Sequence, residues 1–243
     1  MTGNIPPVLR PEHMTPRMLS EMVRECGLVA HGAVDGIEVS GMTVMTREVQ
    51  PGDIFVALRG VNRHGAEFAS DAAAAGAVAV LTDSEGAELA RESGLPIVVT
   101  ENPRAVLGDI SAWFYRTNDD APQFFGITGT NGKTSTAYLL EGILQQIGVV
   151  TGLSTTAERH IGEMSVISRL TTPEASELHA LIARMKEHQV RGVVIEVSAQ
   201  ALTHNRVSGI RFDTVGFTNL SHDHLDDYAD MDEYCAAKSR LFQ

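Results

Sequence analysis

Residues 129–135, Gly-Thr-Asn-Gly-Lys-Thr-Ser, bring together the groups needed to hold a polyphosphate. Gly129 and Gly132 let main-chain N–H groups approach an anion, Lys133 can reach outer phosphates, and the hydroxyl of Thr134 is of the kind that ligates magnesium. Thr130, Asn131 and Ser135 complete the loop. The strict P-loop pattern would have a glycine where Ile127 stands, so this is a shorter variant. The plainer alternative is a glycine-rich turn after a strand.

Four other places carry chemistry-bearing side chains. Glu196 closes the apolar run that begins at Val193, and a carboxylate at a strand's C-terminal end can hold magnesium beside phosphates; it can equally cap a helix or pair with a cation. Ser221–Asp227 contains His222, His224, Asp223, Asp226 and Asp227, which fits either metal coordination or a solvated acidic loop. His204 and Arg206 form a cationic pair suited to a carboxylate or phosphate, or simply to the surface. Lys238, taken alone, reads as a solvated helix lysine.

The elements that must position these groups follow from local pattern. Phe124–Ile127 reads as a short buried strand before the loop, and a helix after it presents Leu140, Ile143, Leu144 and Ile147 on one face. Val149-Val150-Thr151 begins the next strand, and the polar region that follows, to Leu170, reads as a loop. Thr171-Thr172-Pro173-Glu174 supplies a threonine N-cap, a proline at the first helical position and an acid in the first turn. Val193–Val197 and Phe212–Thr218 read as strands, and Asp230 with Glu233 caps a last helix. Upstream, a helix is expected over 16–25 with Thr15 as N-cap, then strands at 37–40, 53–58, 78–81 and 97–99 alternating with helices at 65–76, 85–93 and from Asn102 onward. That alternation implies an α/β fold with mostly parallel sheets. The polar stretch Thr117–Pro122 suggests domains at 1–120 and 121–243.

Composition narrows the class. The 243 residues carry a net charge of −12, which argues against non-specific binding to nucleic acid or an anionic membrane surface. Two distant cysteines, Cys26 and Cys235, fit a reducing cytoplasm, and no run approaches the ~18 apolar residues of a spanning helix. The N-terminus, with prolines at 6, 7 and 11, does not read as a signal peptide. The expectation is a cytoplasmic monomer without membrane insertion or nucleic-acid partner.

The ordered set Gly129–Thr134, Thr171–Glu174, Glu196-Val197-Ser198, Phe217–Ser221, Asp223–Asp226 and Tyr234–Lys238 closely resembles the Mur ligases. Thr43–Arg47 and Pro51–Leu58 resemble the UDP-binding domain of those members that add the third residue of the peptidoglycan stem peptide. The resemblance implies a small α/β UDP-binding domain followed by a P-loop-type, parallel-sheet ATP-binding domain. It implies ATP and Mg2+ as cofactors, with UDP-MurNAc-L-Ala-D-Glu and an amino acid (meso-diaminopimelate or L-lysine) as partners. The D-glutamyl carboxylate would be phosphorylated and then attacked by the incoming amine.

By the same resemblance, Lys133 and the loop hold the ATP phosphates, Thr134 and Glu196 bind one magnesium, and Glu196 with His224 a second. Lys238 matches a carbamylated lysine serving the metals. Thr171, Thr172, Ser198, His204 and Arg206 match contacts to the muramoyl dipeptide, and Val44, Thr46, Val61, Asn62 and Arg63 the uridine side. Here Met45-Thr46-Arg47 replaces the usual Asp-Ser-Arg, Leu170 an asparagine, His204 a glutamine and His222 an arginine. The family's third, amino-acid-binding domain has no counterpart in these residues, so the chain alone is expected to bind ligands without completing ligation. The other readings are a non-catalytic module for UDP-muramoyl peptide, or another ligase of the Mur or folylpolyglutamate type.

Overall fold

The computed structural model describes residues 8–222 and 227–243. They form two compact units, His13–Phe114 and Tyr115–Gln243, with residues 8–12 grouped with the second. The sequence reading set its boundary at 120; Thr117 lies inside the second unit, where its hydroxyl meets the His179 ring at 2.7 Å.

In the first unit the chain runs β1 (Arg17–Met18), α1 (Leu19–Glu25), β2 (Val29–His31), β3 (Glu38–Val39), β4 (Gly41–Thr43), β5 (Asp53–Val56), α2 (Ala69–Ala74), β6 (Ala79–Thr82), α3 (Ser84–Leu89), β7 (Ile97–Val99) and α4 (Pro103–Tyr115). Strands β4, β5, β6 and β7 lie parallel, and β2 closes the β7 edge antiparallel. Buried Phe55, Val80 and Ile97 pack under the alanine-rich α2 through Ala69 and Ala72.

The expected helix over 16–25 begins only at Leu19. Arg17 and Met18 are taken by an antiparallel pairing with β3, and the Arg17 guanidinium stacks 3.3 Å from the Trp113 ring centre while donating to its carbonyl. Tertiary contacts override the Thr-Pro start signal. The helix expected from 65 opens as a single 3-10 turn, Gly65–Phe68. There His64 accepts from the Ala66 amide and Glu67 reaches back to the His64 N–H, a capping box.

The second unit runs β8 (Gln123–Thr128), α5 (Lys133–Gln146), β9 (Thr151–Ser154), β10 (Glu158–Ile161), β11 (Met164–Ile167), α6 (Ala175–Glu187), β12 (Gly192–Glu196), α7 (Ala199–Thr203), β13 (Thr214–Phe217) and α8 (Met231–Ser239). Its sheet has the order β11-β10-β9-β12-β8-β13. The four strands β9, β12, β8 and β13 are parallel, and the hairpin β10–β11 adds antiparallel strands at one edge. The chain leaves β8 toward β9 on one side and later returns to place β13 on the other. Such a switch opens a crevice at the carboxyl ends of the strands, where the 129–135 loop begins.

Three sequence expectations change here. The region between Thr151 and Leu170 is not a loop: Arg159 and Ile161 are buried in β10 on alternate positions, and Gly162, at φ +57°, turns the chain into β11. The inward face of α5 is Ala137, Glu141 and Leu144, while Ile143 and Ile147 are 57% and 71% exposed. Glu141 can turn inward because the His160 ring and the Thr151 hydroxyl meet its carboxylate. Finally, α6 starts at Ala175 with Glu174 as N-cap, because Thr172 is used elsewhere.

The long α6 packs Leu178, Leu181, Ile182 and Met185 against Val193 and Ile195 of the sheet. It also buries His179 completely, between the Thr117 hydroxyl and the Ser208 carbonyl, which its Nε2–H reaches at 2.9 Å. Burial pushes this ring down to about 4 from the usual 6.5, only weakly opposed by the Ser208 bond. The unfolded chain therefore binds a proton at pH values where the folded one does not. The neutral ring's contribution is complete above pH 6.5 and is lost as pH falls toward 4, an effect on the order of 3 kcal/mol. Urea unfolding at a series of pH values in that window should show a steeper loss in the wild type than in His179→Asn, whatever baseline stability the variant has.

Candidate active site

The loop after β8 is shaped by its neighbours as much as by its own glycines. Gly129 has φ +136°, and a Cβ there would lie 2.0 Å from the Thr218 hydroxyl. Residues 218–221, just past β13, are stitched to it. Asn219 accepts from the Thr130 amide through its carbonyl (2.8 Å) and from the Asn131 amide through its side chain (3.1 Å). Thr218 and Asn219 side chains both donate to the Asn131 carbonyl, at 2.7 and 3.0 Å. The Ser221 amide donates to the Thr130 hydroxyl, and the Asn131 side-chain amide to the Ser221 hydroxyl.

These bonds decide which part of the loop can receive an anion. The amides of Thr130 and Asn131 are occupied, so the anion-facing part is the first turn of α5. That helix begins after Gly132 (φ +81°) with no side-chain cap. Its leading N–H groups have no intrahelical acceptor and carry the positive end of the helix dipole. Ser135 sits exposed in that turn. Lys133 folds its Nζ back onto the Thr130 carbonyl at 2.8 Å.

Opposite the helix start stands Glu196, at the end of β12 and 2% exposed. One carboxylate oxygen accepts from the Thr134 hydroxyl (2.9 Å) and the Thr156 amide (3.0 Å); the other accepts from the Thr156 hydroxyl (3.2 Å). Thr156 belongs to the turn between β9 and β10, and its hydroxyl also meets that of Thr171 at 2.9 Å. The Thr172 hydroxyl, 1% exposed, donates to the Glu196 carbonyl and accepts from the Ser198 amide. Ser198 in turn caps α7 through the Ala201 amide. Arg206 donates to Glu174 at 3.0 Å. Each strand end is thus locked to the next by short polar side chains rather than by apolar packing.

Lys238 is brought here from α8, whose N-cap Asp230 accepts from the Glu233 amide as the sequence indicated. The amine is 1% exposed, donates to the Gly129 carbonyl at 2.7 Å and lies 4.3 Å from the Tyr234 ring centre. It is not the solvated lysine that its helix position alone suggests. Lys133, Glu196, Lys238, Thr171, Thr172, Ser198 and Arg206 all line one cavity of about 270 Å³, together with Thr156, Gln200, Tyr228 and Tyr234. Three cations around one carboxylate suit a polyanionic ligand held with a divalent ion. Glu196 and Thr134 fit a hard cation: both present oxygen, and the carboxylate's contacts are with neutral donors.

Several expected residues fall elsewhere. His204 is exposed at the C-terminal end of α7 and does not line the cavity. Asp223, His224 and Asp226 lie outside the described residues, and among the described ones no cluster of three or more His, Cys, Asp or Glu could hold a metal. In the first unit, Val44 and Thr46 follow β4, and Val61, Asn62 and Arg63 lie in the turn after the adjacent β5. Val61 is fully exposed, while Arg63 is paired with Glu67 at 2.7 Å and covers the Phe68 ring.

Thr156 and Tyr228 were not singled out from sequence. The hydroxyl run Ser154-Thr155-Thr156, which begins on the last residue of β9, is a usable signal for the first. Tyr228 has no local signature: it joins the site through the Thr203 hydroxyl (3.1 Å) and the Tyr234 ring (5.3 Å between centres). Burial pushes its phenol above the usual 10.

Family models match both units: "Mur ligase family, catalytic domain" over residues 38–115 and "Mur ligase middle domain" over 127–243. A UDP-N-acetylmuramyl-tripeptide synthetase of Leifsonia xyli is 59% identical over all of this chain, which spans 47% of that relative. A UDP-N-acetylmuramoyl-L-alanyl-D-glutamate–2,6-diaminopimelate ligase of Streptomyces avermitilis is 44% identical with the same coverage. The chain thus spans about half the length of the curated relatives it matches. A solved structure of a UDP-N-acetylmuramoyl-L-alanyl-D-glutamate–2,6-diaminopimelate ligase is 25% identical, with TM-score 0.74 over 94% of this chain and 45% of its own.

The glycine geometry gives a paired test. Gly129→Ala forces a Cβ against Thr218 at positive φ and should cost at least about 1–3 kcal/mol. Gly142→Ala, in α5 with open space around it, should stabilise by about 1 kcal/mol. Urea unfolding of both variants checks the opposite signs.

Proposed function

The chain belongs to the Mur ligase family, and on that premise we propose that it carries the nucleotide-binding and UDP-muramoyl-binding parts of an ATP-dependent ligase that extends UDP-MurNAc-L-Ala-D-Glu by its third amino acid. The single observation that carries this reading is the convergence of Lys133, Glu196 and Lys238 on one cavity beside an uncapped helix N-terminus. Which amino acid is added, meso-diaminopimelate or L-lysine, is left to the rest of such a protein. Residues 13–114 are assigned the UDP end of the substrate, at the turns after β4 and β5. Residues 115–243 are assigned ATP and the reacting carboxylate.

The geometry suggests a division of labour. The first-turn amides of α5 and Lys133 bind the ATP phosphates, Lys133 exchanging the Thr130 carbonyl for a phosphate oxygen. Thr134 and Glu196 would hold magnesium, which neutralises phosphate charge during transfer. Thr171 and Arg206 face the muramoyl dipeptide. Thr172 serves them indirectly, since its hydroxyl is spent on the main chain of the β12 end. ATP donates its terminal phosphoryl group to the D-glutamyl carboxylate and leaves as ADP. The amine of the amino acid then attacks the acyl carbon and expels phosphate. The chain's task is to align two anions that repel each other, so positioning and charge compensation supply most of the acceleration.

Lys238 takes its role as a carbamate. The ammonium first gives up a proton; the neutral amine then adds to carbon dioxide, forming an N–C bond and releasing a second proton, so that a buried cation becomes an anion. Tyr234 and the Gly129 carbonyl fix where that group sits.

Titration calorimetry of this chain with Mg-ATP and with UDP-MurNAc-L-Ala-D-Glu tests the reading. Both should bind, Lys133→Ala should weaken Mg-ATP by about tenfold or more while leaving the UDP ligand unaffected, and absence of both bindings would defeat the assignment. Supplying 13C-labelled bicarbonate should give a carbamate resonance in the wild type that is missing from Lys238→Ala. A labelled signal that persists in the variant would remove Lys238 from that role.

A further inference from the structure

Between α5 and β10 lies a polar cluster that no step above uses. Tyr138 and Glu141 stand one turn apart on α5, facing Glu158 and His160 on β10. The His160 Nδ1 is 2.9 Å from both Glu141 carboxylate oxygens, and its Nε2 is 3.0 Å from Glu158. The Tyr138 hydroxyl donates to the same Glu158 oxygen at 3.1 Å, and its ring stands edge-on to the imidazole, 5.6 Å between centres.

We propose that His160, bridging Glu141 and Glu158, is a positioning residue that fastens the 155–158 turn, and through it Glu196, to the helix that begins at the phosphate loop. The inference rests on reading that loop as the ATP site. The connection is short on both sides. On one, α5 runs from Lys133 at the loop to Glu141. On the other, Glu158 closes the turn, its carbonyl accepting from the Thr155 amide (3.0 Å) and hydroxyl (3.0 Å), and the next residue, Thr156, makes two of the three hydrogen bonds to the Glu196 carboxylate.

Both ring nitrogens face carboxylates, and only an imidazolium can donate to both. A neutral ring can donate to only one of them, and because Glu141 is 3% exposed, a single remaining proton on Nδ1 serves that buried carboxylate and lets go of Glu158 at the turn. Among the described residues, the groups in register opposite the ring carry no charge. In register opposite it, β9 offers Leu153 and β11 offers Ser165. Although burial pushes the ring downward, the Glu158 and Glu141 carboxylates more than offset this and hold it above the usual 6.5. The sign follows: the clamp is complete below pH 6.5 and is released as pH rises through the raised value.

The test follows the Thr156 amide by NMR in this chain from about pH 6 to about pH 9, alongside the His160 ring, in the wild type, His160→Gln and His160→Arg. In the wild type the amide should shift with the same midpoint as the ring. The step should vanish in both variants, with the Arg form resting at the wild type's low-pH position. Mg-ATP affinity should fall about tenfold in His160→Gln and in the wild type at high pH, and stay flat and wild-type-like in His160→Arg. An amide indifferent to the ring's titration, or an Arg variant as impaired as Gln, would overturn the proposal. Failure of Mg-ATP to bind any form would instead defeat the ATP reading, while the wild-type amide step, which needs neither nucleotide nor variant, still decides the clamp.

Discussion

The second unit is arranged around the desolvated carboxylate of Glu196. A charge this deeply buried is tolerated only when its lone pairs are met, and here Thr134 and Thr156 meet them from two directions. That requirement links the start of α5, the β9–β10 turn and the end of β12. The main chain of the same residue is gripped by Thr172, which ties in the segment leading to α6. Removing any one of these partners leaves the others misplaced around an uncompensated charge. The carboxylate is therefore a structural keystone as well as a metal-binding candidate, and the two demands favour the same geometry.

The loop itself is saturated on its inner side. The carbonyls of Gly129, Thr130 and Asn131 are taken by Lys238, Lys133 and the Thr218–Asn219 pair. With the carbonyls engaged, the remaining N–H groups of the helix start dominate the local field. A loop one glycine short of the longer pattern thus keeps a shape that suits an anion, because residues 218–221 brace it from outside.

What could be read from the sequence was whatever is local. Strand, glycine loop and helix are contiguous, so β8, the loop and α5 were plain, as were the end of β12 at Glu196 and the Asp230 cap. The α5 burial face was misjudged because hydrophobic spacing ranked Ile143 and Ile147 above Glu141, whose burial depends on His160 and Thr151 across the interface. The hairpin β10–β11 is hard to read because both strands are only four residues long and β10 carries Glu158 and Arg159, and Thr156 is lost with it. The start of α6 was placed two residues early because Thr172 was free, in sequence terms, to cap a helix, but in the fold β12 claims its hydroxyl. Lys238 was legible only through the family resemblance, since nothing near it in sequence distinguishes it from a surface lysine.

The bond from Lys238 to the Gly129 carbonyl spans 109 residues. During synthesis at about 5–20 residues per second, the phosphate loop leaves the ribosome roughly 5–20 s before the amine that completes it. Its strand β8 must likewise wait for β12 and β13, because both of its sheet neighbours come later in the chain. For that interval a glycine loop and a bare strand with two open edges sit together in the nascent chain. A loop braced from several directions in the finished molecule is thus completed late, and the period before β12 arrives is when the chain is most open to unwanted strand pairing.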